Sequence, residues 1–131
     1  MSSNNLADFA HRYTAAWCSH DATRVASCYA EDGRLTINDG EPSVGRAAIA
    51  VAAQAFMSDF PDMVVSMDDL TMTEEGPVYN WTLTGTYAGP AGNGCSLRIS
   101  GCERWTMDDD GLIASSLGYF DEAEYRRQLE A

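Results

Sequence analysis

The chain contains no lysine; all eight of its basic residues are arginine. A Schiff base to a carbonyl substrate or to pyridoxal phosphate is therefore excluded, and so is a phosphate-loop lysine. Histidine is nearly as scarce, with only His11 and His20. Neither has a second His or Cys at ligand spacing, which argues against a zinc site. The four cysteines, Cys18, Cys28, Cys95 and Cys102, lack C-x-x-C spacing. Their even number permits two disulfides, but free thiols in a cytoplasmic chain are the expectation. No apolar run is long enough to span a bilayer, and no basic stretch followed by an apolar one opens the chain. Positive charge is short as well. A net charge of −12 argues against nucleic acid and anionic membranes as partners, since phosphates need a basic footprint. No nucleophile elbow is present, and the glycine-rich 88–94 segment lacks the Lys-Ser/Thr ending of a phosphate loop. It reads as a hairpin loop.

What is present suits one domain, 1–131, with one core: 131 residues, 45% hydrophobic and 21% charged. Leu6, Phe9, Ala10, Tyr13, Ala16 and Trp17 recur at helical spacing behind the capping residues Ser2, Ser3, Asn4 and Asn5. Asp21 starts a second short helix through Val25, Cys28 and Tyr29, and Glu31, Asp32 and Gly33 end it. Residues 34–38 alternate as a short strand. Residues 45–60 form a third helix with Ile49, Ala53, Phe56 and Met57 inward, stopped at Phe60 and Pro61. Beyond this point strand patterns dominate: 63–73, 77–87, 95–107 and 112–120, with turn signals between them. Asp121 and Glu124 then resemble a capping box opening a last helix through Leu129. Helices followed by a meander indicate an α+β fold. A strongly curved sheet with helices on its concave side encloses a pocket.

Side chains alternate across a strand. In 97–107, therefore, Ile99, Gly101, Glu103, Trp105 and Met107 share the apolar face, and Arg98, Ser100, Cys102, Arg104 and Thr106 share the other. Glu103 is thus placed among apolar neighbours, where burial raises a carboxyl pKa and makes it a candidate proton donor. The alternative is a structural carboxyl satisfied by its neighbours. Trp17, Tyr29, Phe56, Trp81, Trp105 and Tyr119 are candidate walls for a flat apolar ligand, or simply core.

Three segments together resemble the SnoaL-like polyketide cyclase group of the nuclear transport factor 2-like superfamily. The first begins with Phe9, Ala10, His11, Arg12 and Tyr13, passes Ala30, Glu31 and Asp32, and ends with Gly45, Arg46, Ala47, Ala48 and Ile49. The second is Trp81, Thr82, Leu83, Thr84, Gly85 and Thr86 with the following Gly89 and Pro90. The third runs from Asp110, Gly111, Leu112 and Ile113 through Phe120 and Asp121 to Tyr125, Arg126, Arg127, Gln128 and Leu129. The resemblance implies a cone-shaped, curved antiparallel sheet with N-terminal helices packed on its concave face, the nuclear transport factor 2-like or cystatin-like roll. It also implies cofactor-independent acid/base chemistry on an apolar or aromatic carbonyl or hydroxyl substrate: cyclisation, isomerisation or dehydration. Paired outer sheet faces, and so a homodimer, are common in the superfamily. Its steroid isomerases polarise a carbonyl with a tyrosine and a protonated carboxylic acid, and Tyr13 and Glu103 fall at those positions. Their base belongs near Thr36, Ile37 and Asn38, where this chain has no carboxylate. The cyclase resemblance adds Asp121 as an acid/base candidate, against its alternative as the cap of the last helix. A non-catalytic ligand-binding or interaction domain on the same fold is the second expectation.

Overall fold

The apolar stripe of the first helix determines what the sheet wraps around. In the computed structural model, which describes residues 3–88 and 94–130, this helix is α1 (Ser3–Cys18). Ser2 of the expected capping cluster, residues 89–93 of the expected hairpin loop, and with them Gly89 and Pro90 of the resemblance lie outside the described residues. Leu6, Phe9, Ala10, Tyr13, Ala16 and Trp17 are all buried, as the spacing predicts. Next come α2 (Ala22–Ala26), β1 (Tyr29–Ile37), β2 (Ser43–Val44) and α3 (Arg46–Asp59). The meander β3 (Val64–Thr73), β4 (Gly76–Thr86), β5 (Ser96–Met107) and β6 (Ile113–Phe120) follows, and α4 (Glu122–Leu129) ends the fold.

The strands form one six-stranded sheet in the order β2-β1-β6-β5-β4-β3. From β3 to β6 every pairing is antiparallel, whereas β1 runs parallel to β6. The sheet is curled without closing. Register shifts explain the curl. They fall between Tyr29 and Arg34, Met67 and Asp69, and Thr106 and Met107, and an extra residue in one strand bends it and adds twist. The first of these shifts corrects the sequence reading. Glu31, Asp32 and Gly33 look like a turn, but they form the bulged start of β1, so the strand begins at Tyr29. Gly33 fits there because its bare Cα lies against the Ile113 carbonyl, 2.9 Å from where a Cβ would stand.

α1 packs over β3 and α3 over β1, on the side of the sheet that holds the core. The aromatic side chains lock α1 to the strands. Tyr13 meets Trp105 and Tyr79 edge-on at 5.2 and 5.4 Å, and Tyr79 stacks on Trp105 at 5.0 Å. β6 pairs with β5 only from Gly101 onward, which leaves the start of β5 with one unpaired edge. Gln128 of α4 covers it. Its amide accepts from Arg98 N at 2.7 Å and donates to Arg98 O at 2.9 Å, imitating a neighbouring strand.

Gly101 lies opposite both Trp81 and Phe120. A Cβ there would collide with the Tyr119 carbonyl and stand 2.6 Å from Trp81 Cζ2. Neither the backbone nor an indole wedged beside Phe120 has room to yield. Gly101→Ala is therefore expected to destabilise the fold by about 3 kcal/mol. Urea denaturation checks this; a loss within experimental error of zero would show that the indole moves freely.

Candidate functional site

Glu103 lies in the middle of β5, across from Tyr79 on one side and Gly118 on the other. Strand alternation turns it inward, and it is 8% exposed. Three donors converge on one of its oxygens. Tyr13 Oη donates to Oε1 at 2.8 Å, Trp105 Nε1 at 3.0 Å and Ser116 Oγ at 2.7 Å. Tyr29 Oη lies 2.8 Å from Tyr13 Oη. Because Tyr13 spends its single proton on Glu103, Tyr29 must be the donor in that pair. The result is a directed relay from Tyr29 through Tyr13 to Glu103.

Burial pushes the Glu103 carboxyl above its ordinary value, against the opposing pull of the hydrogen bonds from Trp105, Ser116 and Tyr13. Tyr13 and Tyr29 are raised well above 10 by burial first and the nearby Glu103 charge second. They remain protonated at neutral pH and serve as donors, not bases.

Among the described residues no hydrogen bond reaches Glu103 Oε2. It is not among their fully enclosed, unpartnered polar atoms either, a condition met only by Trp81 Nε1. Oε2 therefore borders open space. That space is a cavity of about 70 Å³ beside Glu103, with apolar walls that include Trp17, Leu35, Leu83 and Ile99. Ile37, Phe56, Phe120 and Tyr125 line both this cavity and an outer one of about 440 Å³, to which Asn38, Asp59, Glu122 and Arg126 contribute polar groups. The two cavities adjoin, and the outer one forms an amphipathic vestibule between β1, α3 and α4. Glu103 is the only carboxyl lining the inner chamber among the described residues.

The structure brings Glu103 and Tyr13 together but not Asp121. Asp121 is exposed, and its Oδ1 accepts from Glu124 N at 3.0 Å as the cap of α4. It lines neither cavity. The capping-box alternative describes it, because its carboxylate satisfies a helix N–H that would otherwise be unpaired. Of the six expected wall residues, Trp17, Phe56 and Trp81 line the inner chamber. Tyr29 and Trp105 are fully buried behind it, in the network around Glu103. Tyr119 borders the chamber, but its ring is 38% exposed and its hydroxyl reaches Asp39 at 3.4 Å. Gly118 faces Glu103, so the next residue along the strand must point its side chain the other way.

Ser116 was not found from sequence. It is fully buried, opposite Trp105. The available signal was parity: Ser116, Gly118 and Phe120 alternate on one face of β6. The register that aligns this face with Glu103 is a property of the folded sheet. Among the described residues no group of three or more His, Cys, Asp or Glu side chains is placed to hold a metal, and all four cysteines are unbridged.

The raised pKa has a consequence for stability. The native state holds the Glu103 proton more tightly than the unfolded chain, whose carboxyl titrates near 4.5. Below that pH Glu103 has no differential effect. As pH rises from there through the native pKa, the protein loses stability. Glu103→Gln cannot titrate, so the stability of wild type relative to this variant is expected to fall with rising pH across that window. Chemical denaturation at a series of pH values checks it; a difference that is constant or grows with pH would place the native pKa at or below the reference.

Comparison with known proteins agrees with the geometry. The SnoaL-like domain family matches residues 10–116. TsrD from Streptomyces laurentii superposes with a TM-score of 0.84 at 20% identity, over 98% of this chain and 97% of that one. A Jannaschia sp. CCS1 protein described as a SnoaL-like polyketide cyclase gives 0.86 at 16% identity, over 100% and 96%. The epoxide hydrolase/cyclase-like enzyme SalBIII, studied for pyran ring formation in the polyether salinomycin, gives 0.81 at 13% identity, over 94% and 95%. At these identities the likeness shows the fold. No curated protein matches the chain. With the curled sheet, the packed helices and a match spanning most of its length, the chain belongs to the SnoaL-like domain family and has the nuclear transport factor 2-like fold.

Proposed function

We propose that the protein is a cofactor-independent acid/base enzyme acting on a small apolar or aromatic molecule that bears a carbonyl, hydroxyl or ether oxygen. The observation that supports this reading is the asymmetry of Glu103. With three donors on Oε1, the carboxyl proton belongs on Oε2, which faces the chamber. Burial favours the protonated form. Glu103 then donates to a substrate oxygen, and its carboxylate, held by Tyr13, Trp105 and Ser116, takes a proton back from the rearranged product. One group serves as acid and base in turn, as cyclisation, isomerisation and dehydration require. Trp17, Phe56 and Trp81 orient the substrate, and the vestibule accommodates its polar end. The reading is supported by the solved neighbour SalBIII, described as an epoxide hydrolase/cyclase-like enzyme with a role in pyran ring formation.

The test is turnover of a panel of aromatic polyketide-type ketones and epoxy alcohols, followed by mass spectrometry and chiral chromatography. Glu103→Gln keeps the shape and loses the proton, and is expected to lower turnover by at least about a hundredfold while leaving the thermal midpoint within a few degrees. Equal turnover by both proteins would refute the acid role.

A second reading, a ligand-binding domain without catalysis, is favoured by the small inner chamber. Its volume of about 70 Å³ is well below the ~300 Å³ at the low end of pockets for drug-sized ligands. Ligand uptake without change in the ligand, for every member of the panel, would support it.

The unbridged thiols suit the reducing cytoplasm. No helix among the described residues is long and apolar enough to cross a membrane. The outer sheet face carries the half-exposed Val64 on β3 and, beyond β4, Arg98, Ser100 and Cys102 on β5, with Tyr119 across from Cys102. Such a mixed face suits pairing with a second copy. Light scattering is expected to give the dimer mass at micromolar concentration, and a monomer mass throughout that range would exclude it.

A further inference from the structure

Trp81 carries an unused donor. Its Nε1 is fully enclosed and has no hydrogen-bond partner, alone in this respect among the side-chain polar atoms of the described residues. Burying an N–H without a partner is costly, and proteins rarely leave one unpaired without reason. Glu103 Oε2 is the other open polar atom at this chamber, and the remaining polar groups nearby are occupied. Trp105 Nε1 and Ser116 Oγ serve Glu103 Oε1, and Tyr79 Oη pairs with Thr14 Oγ1. The Trp81 ring also borders the same inner chamber as Glu103. Its position is fixed from both sides. Gly101 leaves room for the six-membered ring of the indole, and Phe120 meets it at an angle of 66° with centroids 6.1 Å apart.

We infer that Trp81 Nε1–H is a ligand-positioning donor, and that the ligand of this chamber presents it with an acceptor oxygen, such as a carbonyl, ether or hydroxyl oxygen. An indole N–H only donates. A carbonyl, ether or hydroxyl oxygen satisfies it through a lone pair, and a hydrocarbon cannot. A bound water would need Glu103 Oε2 as its second partner, the minimum for a buried water, because the rest of the walls are largely apolar. Entry of the ligand widens the chamber and uncovers the N–H as its acceptor arrives. The inference deepens the proposed acid/base reading and rests on its choice of chamber, but it concerns binding and requires no turnover.

The test uses a matched pair of probes, 1-indanone and indane, which differ in one carbonyl oxygen. In ¹H–¹⁵N spectra of the wild-type protein, the Trp81 indole N–H is expected to move downfield on addition of 1-indanone and to move much less with indane. The indole signals of Trp17 and Trp105 provide internal comparison. Trp81→Phe keeps an aromatic ring and removes the donor. It is expected to weaken 1-indanone binding about three- to tenfold more than indane binding, the range for one hydrogen bond. Failure of 1-indanone to bind at millimolar concentration, an unmoved Trp81 signal at saturation, or an equal loss for both probes would each overturn the inference. The wild-type titration decides the matter even if the variant folds poorly. Glu103→Gln, titrated in parallel, separates the two proposals. Loss of turnover in this variant with an intact Trp81 shift supports both proposals, unchanged turnover with an intact shift leaves only the donor supported, and loss of turnover with no Trp81 shift leaves only the acid.

Discussion

Three hydrogen bonds to a single carboxylate oxygen, inside an apolar sheet-and-helix core, constrain almost everything else around the site. Leaving a carboxyl among Trp, Tyr and Ile without partners costs several kcal/mol when it is charged, and the group becomes neutral instead. Here both responses operate. Tyr13, Trp105 and Ser116 lower the cost of the charged state, and burial still outweighs them. Glu103 therefore holds its proton more tightly than an ordinary surface carboxylate. Each donor comes from a different element: α1, the same strand two residues on, and the neighbouring β6. Packing α1 onto the sheet and aligning β6 with β5 thus also assemble the acid. A loosened α1 would lose Tyr13 and, with it, the Tyr29 relay.

Much of this is legible in the sequence because two periodicities suffice. The 3.6-residue spacing of α1 places Tyr13 inward, and the two-residue alternation of β5 places Glu103 and Trp105 on the same face. Those rules act within one element, and they hold here without exception. Relations between elements are less accessible. Ser116 joins Glu103 only because the β5–β6 register sets Trp105 opposite it and Gly118 opposite Glu103. Trp105 reads as a wall from its size, yet its role is that of a donor, since the indole turns back toward the residue two positions earlier on its own strand. Tyr119 misleads for the opposite reason. Aromatic size argues for the core, but parity places it outside, and only the inward Gly118 reveals which parity applies. Glu31, Asp32 and Gly33 have turn composition and lie in a bulge, where the chain needs the same backbone tolerance as a turn while remaining in the sheet.

The aromatic residues divide between two tasks that composition cannot separate. Tyr13, Tyr29, Tyr79 and Trp105 are fully buried and carry the hydrogen-bonded and stacked interior, and Tyr79 also borders the chamber. Trp17, Phe56, Trp81 and Phe120 are less enclosed or lie at its margin, and they form the chamber wall. The boundary between the groups follows Glu103: Oε1 faces the first set and Oε2 borders the space lined by the second. The small residues keep that boundary open. Gly118 leaves the site opposite Glu103 without a side chain, and Gly101 lets the Trp81 indole lie flat across β5. A larger residue at either position would fill the chamber or displace its wall.

One carboxyl in the inner chamber also limits the chemistry available on the proposed reading. Hydrolysis by general base requires a second group to activate water while the acid protonates the leaving atom. The strand segment where the steroid isomerases of the superfamily hold their base has Thr36, Ile37 and Asn38 here. Asn38 cannot titrate, and its Oδ1 is occupied by Phe120 N at 2.9 Å. The vestibule carboxyls of Asp59 and Glu122 lie on the outer side of the shared apolar ring of Ile37, Phe56, Phe120 and Tyr125. A lone acid that regains its proton from the same molecule suits reactions in which the substrate supplies its own nucleophile or its own proton. Ring closure and double-bond migration meet that condition. An attacking external water would have to be placed beside that same carboxylate, since Glu103 is the only carboxyl lining the chamber among the described residues.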